Sequence, residues 1–182
     1  MELSDISHII SICNAVIAVL VMQLKSMKTI LVGHITVNLI GAISFFLLGG
    51  YSGASICVIA IIQCVVMFVY NKKDIKPHLP VIGLFVLAYI ACSVIYYQSP
   101  VDILAALAAL FFAISVTRTR PSVARLWNAL NPVTWMAYDI CIGGYGSFVM
   151  HVVIFISIAI AILRLDIIPK YKAKKQISDK SE

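Results

Sequence analysis

Seven long apolar runs alternate with short polar segments along the chain. Each run is about 17–20 residues, close to the length that a helix needs to cross the hydrocarbon core of a membrane. The runs are Ile6–Gln23, Thr29–Leu48, Ala54–Tyr70, Leu79–Tyr97, Val101–Thr117, Leu126–Ile142 and Phe148–Leu165. This pattern predicts an all-α membrane protein with seven transmembrane helices.

The basic residues follow a strict order. All 14 lysines and arginines lie after the first, third, fifth and seventh runs or, for Arg164, at the very end of the seventh, and the other gaps contain none. Because basic loops stay on the cytoplasmic side of a membrane, seven crossings place every cation on that side. The sequence therefore predicts an N-terminus outside the cytoplasm and a C-terminus within it.

Two glycine-rich turns indicate an internal repeat. Gly49-Gly50-Tyr51 and Gly143-Gly144-Tyr145 are 94 positions apart, and at the same shift His34 falls on Asn128 and Cys57 on His151. We interpret the chain as two parallel three-helix units joined by an inverting linker helix, a 3+1+3 plan. The predicted parts are a first unit with its basic loop (1–78), a linker helix (79–98), a second unit (99–166) and a basic cytoplasmic tail (167–182).

Composition narrows the class of protein further. The chain has 182 residues, 62% hydrophobic and 12% charged, and its mean hydropathy is +1.01, so no room remains for a soluble catalytic domain. It has no P-loop, GxSxG or HExxH motif, and its five cysteines form no CxxC pair. We expect no enzyme activity, no catalytic residues, no metal site and no cofactor. The net charge of +6 follows the topology pattern, so nucleic acid is not an expected partner.

The sixth run has the most informative polar residues. On a helical wheel, Asn128, Asn131, Trp135 and Tyr138 fall within an arc of about 100°. Polar side chains within a membrane face protein or water. These four residues are predicted either to line the wall of a solute cavity or to hold helices together by hydrogen bonds. Pro132 interrupts the helical hydrogen bonds between them, and we predict that it acts as a hinge.

Asp139 and His151 flank the glycine turn between the sixth and seventh runs. We hypothesise that they face each other as a hydrogen-bonded or proton-linked pair that forms an outer gate, because histidine titrates near neutral pH. The alternative is that Asp139 meets interfacial water and His151 packs alone. In the first unit, His34 and Asn38 share one helix face. We predict that this pair either lines the cavity opposite the sixth helix or only packs.

Two stretches carry a resemblance to a known family. Residues Phe45–Ser55, which include Gly49-Gly50-Tyr51, and Trp135–Asp139, followed by a glycine turn, resemble YgjV-like bacterial inner-membrane proteins. The length, helix layout and basic tail are also similar. The resemblance implies a multi-pass protein of the bacterial inner membrane, with the N-terminus periplasmic.

A more distant similarity is to the SWEET and PQ-loop carriers. Asn131-Pro132, with Trp135 and Tyr138, is similar to the kinked helix of those carriers, although the chain has no Pro-Gln dipeptide. This resemblance implies a facilitator of a small polar solute. The alternative is a membrane scaffold, partner or sensor that transports nothing. The expected partners are the lipid bilayer, a small polar solute and, as a further option, other copies of the chain as a homo-oligomer.

Overall fold

The computed structural model is all-helical over the residues it describes, which are 3–47, 51–143 and 145–172. Gly49, Gly50, Gly144 and the tail after Lys172 lie outside the described residues. The helices match the seven predicted runs. They are α1 (Leu3–Val21), α2 (Met27–Leu47), α3 (Tyr51–Lys72), α4 (Leu79–Ile95), α5 (Asp102–Val116), α6 (Pro121–Ile142) and α7 (Tyr145–Ala161), followed by a π-helical segment (Ile162–Ile167).

Local sequence explains several helix ends. Proline lies in the first turn of α4 and of α6, where its missing N–H costs no helical hydrogen bond. Asp102 begins α5, and its carboxylate accepts the backbone N–H groups of Gln98 and Ser99 at 2.9 and 2.7 Å. Gly143 ends α6 with a φ of 72°, a left-handed conformation that favours glycine.

Three of the described helices are long and apolar enough to cross a membrane. They are Met27–Leu47, Gly53–Lys72 and Phe148–Lys172. Shorter apolar helices cover Ile12–Val21, Leu79–Ile95 and Asp102–Val116. Numerous large apolar side chains on these helices are exposed on the outside of the bundle, as expected for a surface that faces lipid.

The helices pack as a closed ring. Each helix contacts the next in the order α1, α2, α3, α5, α6, α7, and α7 contacts α1 to close the ring. Helix α4 packs against α3 and α5. The order of contacts around the six-helix ring is unchanged when α1, α2 and α3 are exchanged with α5, α6 and α7. The seam between α3 and α5 is then equivalent to the seam between α7 and α1.

The basic segments gather at one end of this ring, which we call the basic end. Arg125, near the start of α6, contacts the chain just after α1 and the π-helical segment after α7. A small pocket brings the end of α3, including Tyr70, together with the end of α5 and Arg118. Asp139 and His151 lie at the opposite ends of their helices, so the bundle has one basic end and one end where the described residues include no lysine or arginine.

Burial repeats along the chain at the shift of 94 positions. In eight pairs of positions related by this shift, both residues are buried. The pairs are Val21 and Ser115, Met22 and Val116, Ile30 and Ala124, Leu31 and Arg125, His34 and Asn128, Gln63 and Ser157, Cys64 and Ile158, and Met67 and Ala161. The two halves of the chain therefore turn the same positions towards the interior, although the residue types differ.

The two seams also share a hydrogen bond at the same shift. Gln63 Nε2 on α3 donates to the carbonyl of Ala113 on α5 at 3.1 Å. Ser157 Oγ on α7 donates to the carbonyl of Val19 on α1 at 2.7 Å. Position 157 follows position 63 by 94, and position 113 follows position 19 by 94. Each seam thus uses a side-chain donor and a backbone acceptor at equivalent places.

Candidate functional site

Asp139 and His151 form the pair expected from the sequence. His151 Nδ1 lies 2.6 Å from Asp139 Oδ2, and the aspartate is 3% exposed. The left-handed turn at Gly143 reverses the chain between α6 and α7 and thereby brings the two side chains together. The hydrogen-bonded pairing is confirmed, while the role of the pair as a gate stays a prediction.

Two aromatic rings extend this pair along α6. The indole of Trp135 is stacked on the His151 imidazole, with ring centroids 5.7 Å apart and an interplanar angle of 8°. Tyr138 meets Trp135 edge to face at 5.4 Å. We refer to Trp135, Tyr138, Asp139 and His151 as the outer cluster. It combines a carboxylate, an imidazole and two aromatic faces in one place.

The positions equivalent to Trp135 and His151 also adjoin each other in the first half of the chain. They are Gly41 and Cys57, and a Cβ placed on Gly41 would lie 3.4 Å from the Cys57 sulfur. The first half thus has small residues where the second half has the indole and the imidazole. The outer cluster is a specialisation of one half of the chain.

The two asparagines of α6 bond to α5 and to the turn after α1 rather than to each other. Asn131 Nδ2 donates to the carbonyl of Ala108 on α5 at 2.8 Å. Asn128, which is 6% exposed, directs Nδ2 at the sulfur of Met22 at 3.4 Å. Pro132 is buried within a continuous α6. These amides therefore contribute to helix packing in this conformation, as the interhelical alternative predicted.

His34 lies apart from the outer cluster, on α2. Its ring meets Phe112 of α5 edge to face at 5.0 Å, and its backbone carbonyl accepts a hydrogen bond from Asn38 Nδ2 at 2.8 Å. The imidazole is 8% exposed, and its Nε2 has no hydrogen-bond partner within the described part of the chain. The sequence-predicted site residues thus divide into the outer cluster, the two packing amides and this histidine.

Three buried side chains adjoin one stretch of α5, and each has a polar atom without a hydrogen-bond partner among the described residues. They are His34, whose ring meets Phe112, Gln63, whose Nε2 donates to the carbonyl of Ala113, and Tyr89, which belongs to the same apolar cluster as Ala109 and Ala113. The atoms without a described partner are His34 Nε2, Gln63 Oε1 and the Tyr89 hydroxyl oxygen. We call them the interior polar cluster. Asn14 Oδ1 on α1 is also buried and bonds to none of the residues that the structure describes. Unpaired polar atoms in a helical membrane interior are costly, so these three side chains are candidates for a functional role.

Tyr89 was not among the residues that we predicted to be functional. The fourth apolar run contains three tyrosines, of which Tyr89 is buried and Tyr96 and Tyr97 are exposed. A signal was nevertheless available, because Tyr89 lies in the middle of its run and the other two lie at its end. A mid-span tyrosine hydroxyl requires an interior partner or water.

Sequence reasoning also missed the role of Arg125, which was counted only as a topology signal. Arg125 is 1% exposed, and its Nη1 donates to both carboxylate oxygens of Asp166 at 2.9 and 3.1 Å. Its Nε and Nη2 donate to the carbonyls of Met22 and Leu24 at 3.0 and 2.6 Å. Pro121, four residues earlier, was the available signal for a helix that begins before Arg125. Because α6 begins at Pro121, Arg125 belongs to this helix, and its side chain lies inside the bundle.

A second set of hydrogen bonds supports the same seam. Gln23 Nε2 donates to the carbonyl and the hydroxyl oxygen of Ser157 at 2.7 and 2.9 Å, and its Oε1 accepts from Arg164 Nη2 at 3.0 Å. Together with Arg125, these contacts join the turn after α1 to α6 and α7. The seam between the first and last helices is therefore polar at its basic end.

A cleft opens beside this seam at the basic end. Its volume is about 720 Å³. The lining residues are Lys25, Pro121, Ser122, Arg125, Arg164, Leu165, Asp166 and Pro169. None of the sequence-predicted site residues lines it. Within the described part of the chain, no three His, Cys, Asp or Glu residues gather in a metal-binding arrangement.

An all-helical chain with three helices suited to crossing a bilayer and a broad apolar exterior is a helical membrane protein. A family model described as "Bacterial inner membrane protein" matches residues 5–167, and the chain belongs to this family, Imp-YgjV. The family resemblance seen in the sequence is thereby confirmed. No curated protein and no solved structure matches the chain, so the similarity to SWEET and PQ-loop carriers stays a prediction.

Proposed function

We propose that this protein is a seven-span facilitator that carries a small polar solute across the inner membrane. The observation that carries the proposal is the interior polar cluster, in which His34, Gln63 and Tyr89 each keep an unpartnered polar atom inside the bundle. A polar solute or water that passes through the bundle would satisfy these atoms. Transport explains why they persist in a helical interior, where an unpaired polar group is costly.

The arrangement of charge supports seven crossings. Four basic segments meet at one end of the ring, as expected if every helix crosses and the basic end faces the cytoplasm. α5 has 15 residues and is about 22 Å long, shorter than a typical hydrocarbon core of about 30 Å. Local thinning of the bilayer accommodates such a helix at modest cost. The N-terminus would then be periplasmic and the C-terminus cytoplasmic.

The repeat supports a mechanism in which two units move against each other. The ring of contacts, the buried positions and the seam hydrogen bonds all repeat at a shift of 94 positions, with α4 outside the repeat. These features favour the 3+1+3 plan, and in such carriers access alternates as one unit rocks against the other. Pro132 would act as the hinge in α6, and the outer cluster would close the periplasmic side.

Native cysteines provide a direct test for a water-filled interior. Cys57, Cys64 and Cys92 are buried, whereas Cys13 and Cys141 are exposed. A variant with Cys13→Ser and Cys141→Ser keeps only the interior thiols. We expect a small cationic methanethiosulfonate reagent to label these thiols in intact membranes, because thiolates react when water reaches them. Labelling that occurs only after denaturation in detergent would show a dry bundle and favour the non-transporting scaffold.

Uptake measurements test transport itself. Purified protein in proteoliposomes would be screened against labelled sugars, nucleosides, vitamins and amines. For a solute that enters, we expect Gln63→Leu and Tyr89→Phe to lower the uptake rate, because each removes an unpartnered polar atom. Tyr97→Phe changes an exposed tyrosine hydroxyl and is the matched control. Equal rates in Tyr89→Phe and Tyr97→Phe would remove the interior polar cluster from the pathway.

A further inference from the structure

The cleft at the basic end has an excess of positive charge. Lys25, Arg125 and Arg164 line it together with a single carboxylate, that of Asp166. This carboxylate is already engaged, because both of its oxygens accept hydrogen bonds from Arg125. The remaining cations therefore face the cleft without a counter-charge from its lining.

Two of these cations are available to a ligand. Arg164 uses one nitrogen, Nη2, to donate to Gln23 Oε1, and an arginine has five N–H donors. Lys25 is exposed and has no ion pair among the described residues. Ser122 adds a hydroxyl group in the first turn of α6. Lysine, arginine and serine side chains on one concave surface are the donors that phosphate oxygens bind best.

The internal repeat shows that the cleft is not a generic gap at a helix seam. At the shift of 94 positions, Lys25, Arg164, Leu165 and Pro169 correspond to Thr119, Tyr70, Asn71 and Ile75. Those four residues line the equivalent pocket at the seam between α3 and α5, whose volume is only about 10 Å³. One seam is thus almost closed and has neutral residues at the positions of Lys25 and Arg164, with Arg118 as its single lining cation, whereas the equivalent seam is open and lined by three cations.

The position of Arg125 preserves the open seam. Its counterpart in the first half is Leu31, which is buried among apolar residues. Arg125 instead holds the turn after α1 and the π-helical segment through four hydrogen bonds. The two walls that present Lys25 and Arg164 are therefore fixed relative to each other, which lowers the ordering cost of binding.

We propose that this cleft binds a phosphate-bearing anion between Lys25 and Arg164. Two sources share this chemistry, the headgroup of an anionic phospholipid and a free phosphate. Basic pockets between membrane helices at the cytoplasmic side bind anionic headgroups. The inference does not rest on the proposed transport activity, since the site is defined by the cleft, its charge and its closed counterpart.

Thermal unfolding of the full chain in nanodiscs tests the proposal. One arm uses phosphatidylcholine discs with inorganic phosphate titrated against chloride at constant ionic strength. The other arm compares phosphatidylcholine discs with discs that contain phosphatidylglycerol, without added phosphate. We expect Tm to rise in at least one arm, because a ligand that binds only the folded state stabilises it. The arm that responds identifies the source of the phosphate group.

Charge-removing variants assign the effect to the cleft. In Lys25→Gln and Arg164→Gln, we expect the half-saturating concentration of phosphate, or of phosphatidylglycerol, to rise about tenfold, as expected for the loss of one charge-assisted hydrogen bond. Lys73→Gln, an exposed cation of the basic end outside the cleft, is the matched control and should respond as the wild type. A flat Tm in both arms, or an equal loss in Lys73→Gln, would overturn the proposal.

Discussion

His151 Nδ1 and Asp139 Oδ2 lie 2.6 Å apart at the end of the bundle that is opposite the basic end. The aspartate is buried, and no other side chain among the described residues donates to its carboxylate. We expect His151→Ala to lower the free energy of unfolding by about 1–3 kcal/mol, because it leaves a buried acceptor unpaired. Chemical or thermal unfolding in detergent measures this loss.

A double-mutant cycle separates this pairing from the stacking on Trp135. Asp139→Asn keeps a polar group that can bond the imidazole, so its loss should be smaller than that of His151→Ala. The coupling between Asp139→Ala and His151→Ala should amount to at least about 0.5 kcal/mol, as expected for two residues in contact. Additive effects of the two substitutions would contradict the pairing.

Arg125 is the residue whose removal should affect stability most. Arg125→Leu introduces the residue found at the equivalent position 31 but leaves Asp166 and two backbone carbonyls without their donor. We expect a loss of about 3–5 kcal/mol, the typical cost of removing one partner of a buried ion pair. The double variant Arg125→Leu/Asp166→Asn removes the stranded charge and should recover part of this loss, as measured by Tm.

Gly33 tests the close packing of α1 against α2. A Cβ at this position would lie 2.6 Å from Cγ2 of Val21, a buried and β-branched side chain that cannot rotate away easily. We expect Gly33→Ala to cost about 1–3 kcal/mol through overpacking. Gly83→Ala on α4 meets no atom within 4 Å and should not lower stability. Equal stabilities of the two variants would show that α1 and α2 are less closely packed than described.

The two seam hydrogen bonds provide a matched pair of substitutions. Gln63→Leu removes the bond to Ala113, and Ser157→Ala removes the bond to Val19. Each should cost about 0.6–2 kcal/mol, the range for hydrogen bonds between membrane helices. Ser157→Ala also removes a partner of Gln23, so its loss should be the larger of the two. A larger loss in Gln63→Leu would mean that the seams are not equivalent.

Much of the helical framework could be predicted from single-helix patterns. Runs of apolar residues gave seven helices, and the shift between two glycine turns predicted that positions such as His34 and Asn128 occupy equivalent places. The Asp139–His151 pair was also predictable, because a short turn between adjacent helices brings residues on either side of it together. These features depend on local sequence or on a repeat that the sequence itself contains.

The identity of interhelical partners could not be read in the same way. A helical wheel showed that Asn128 and Asn131 face protein, but their partners, Met22 just after α1 and Ala108 on α5, occupy positions that the sequence does not reveal. The predicted sixth run also began at Leu126, whereas α6 begins at Pro121. That difference of about one turn moved Arg125 from a loop to the interior of the bundle.

The contact between α1 and α7 has a consequence for biogenesis. These helices are far apart in the chain, and Arg125, Gln23 and Ser157 lie where their seam is joined. In the proposed seven-span arrangement, α1 enters the membrane long before Ser157 is made. The carbonyl of Val19 and the amide of Gln23 therefore lack their Ser157 partner until the last helix has been inserted. Ring closure is thus a late step in assembly, and nascent chains that stall before α7 would be natural substrates for membrane quality control.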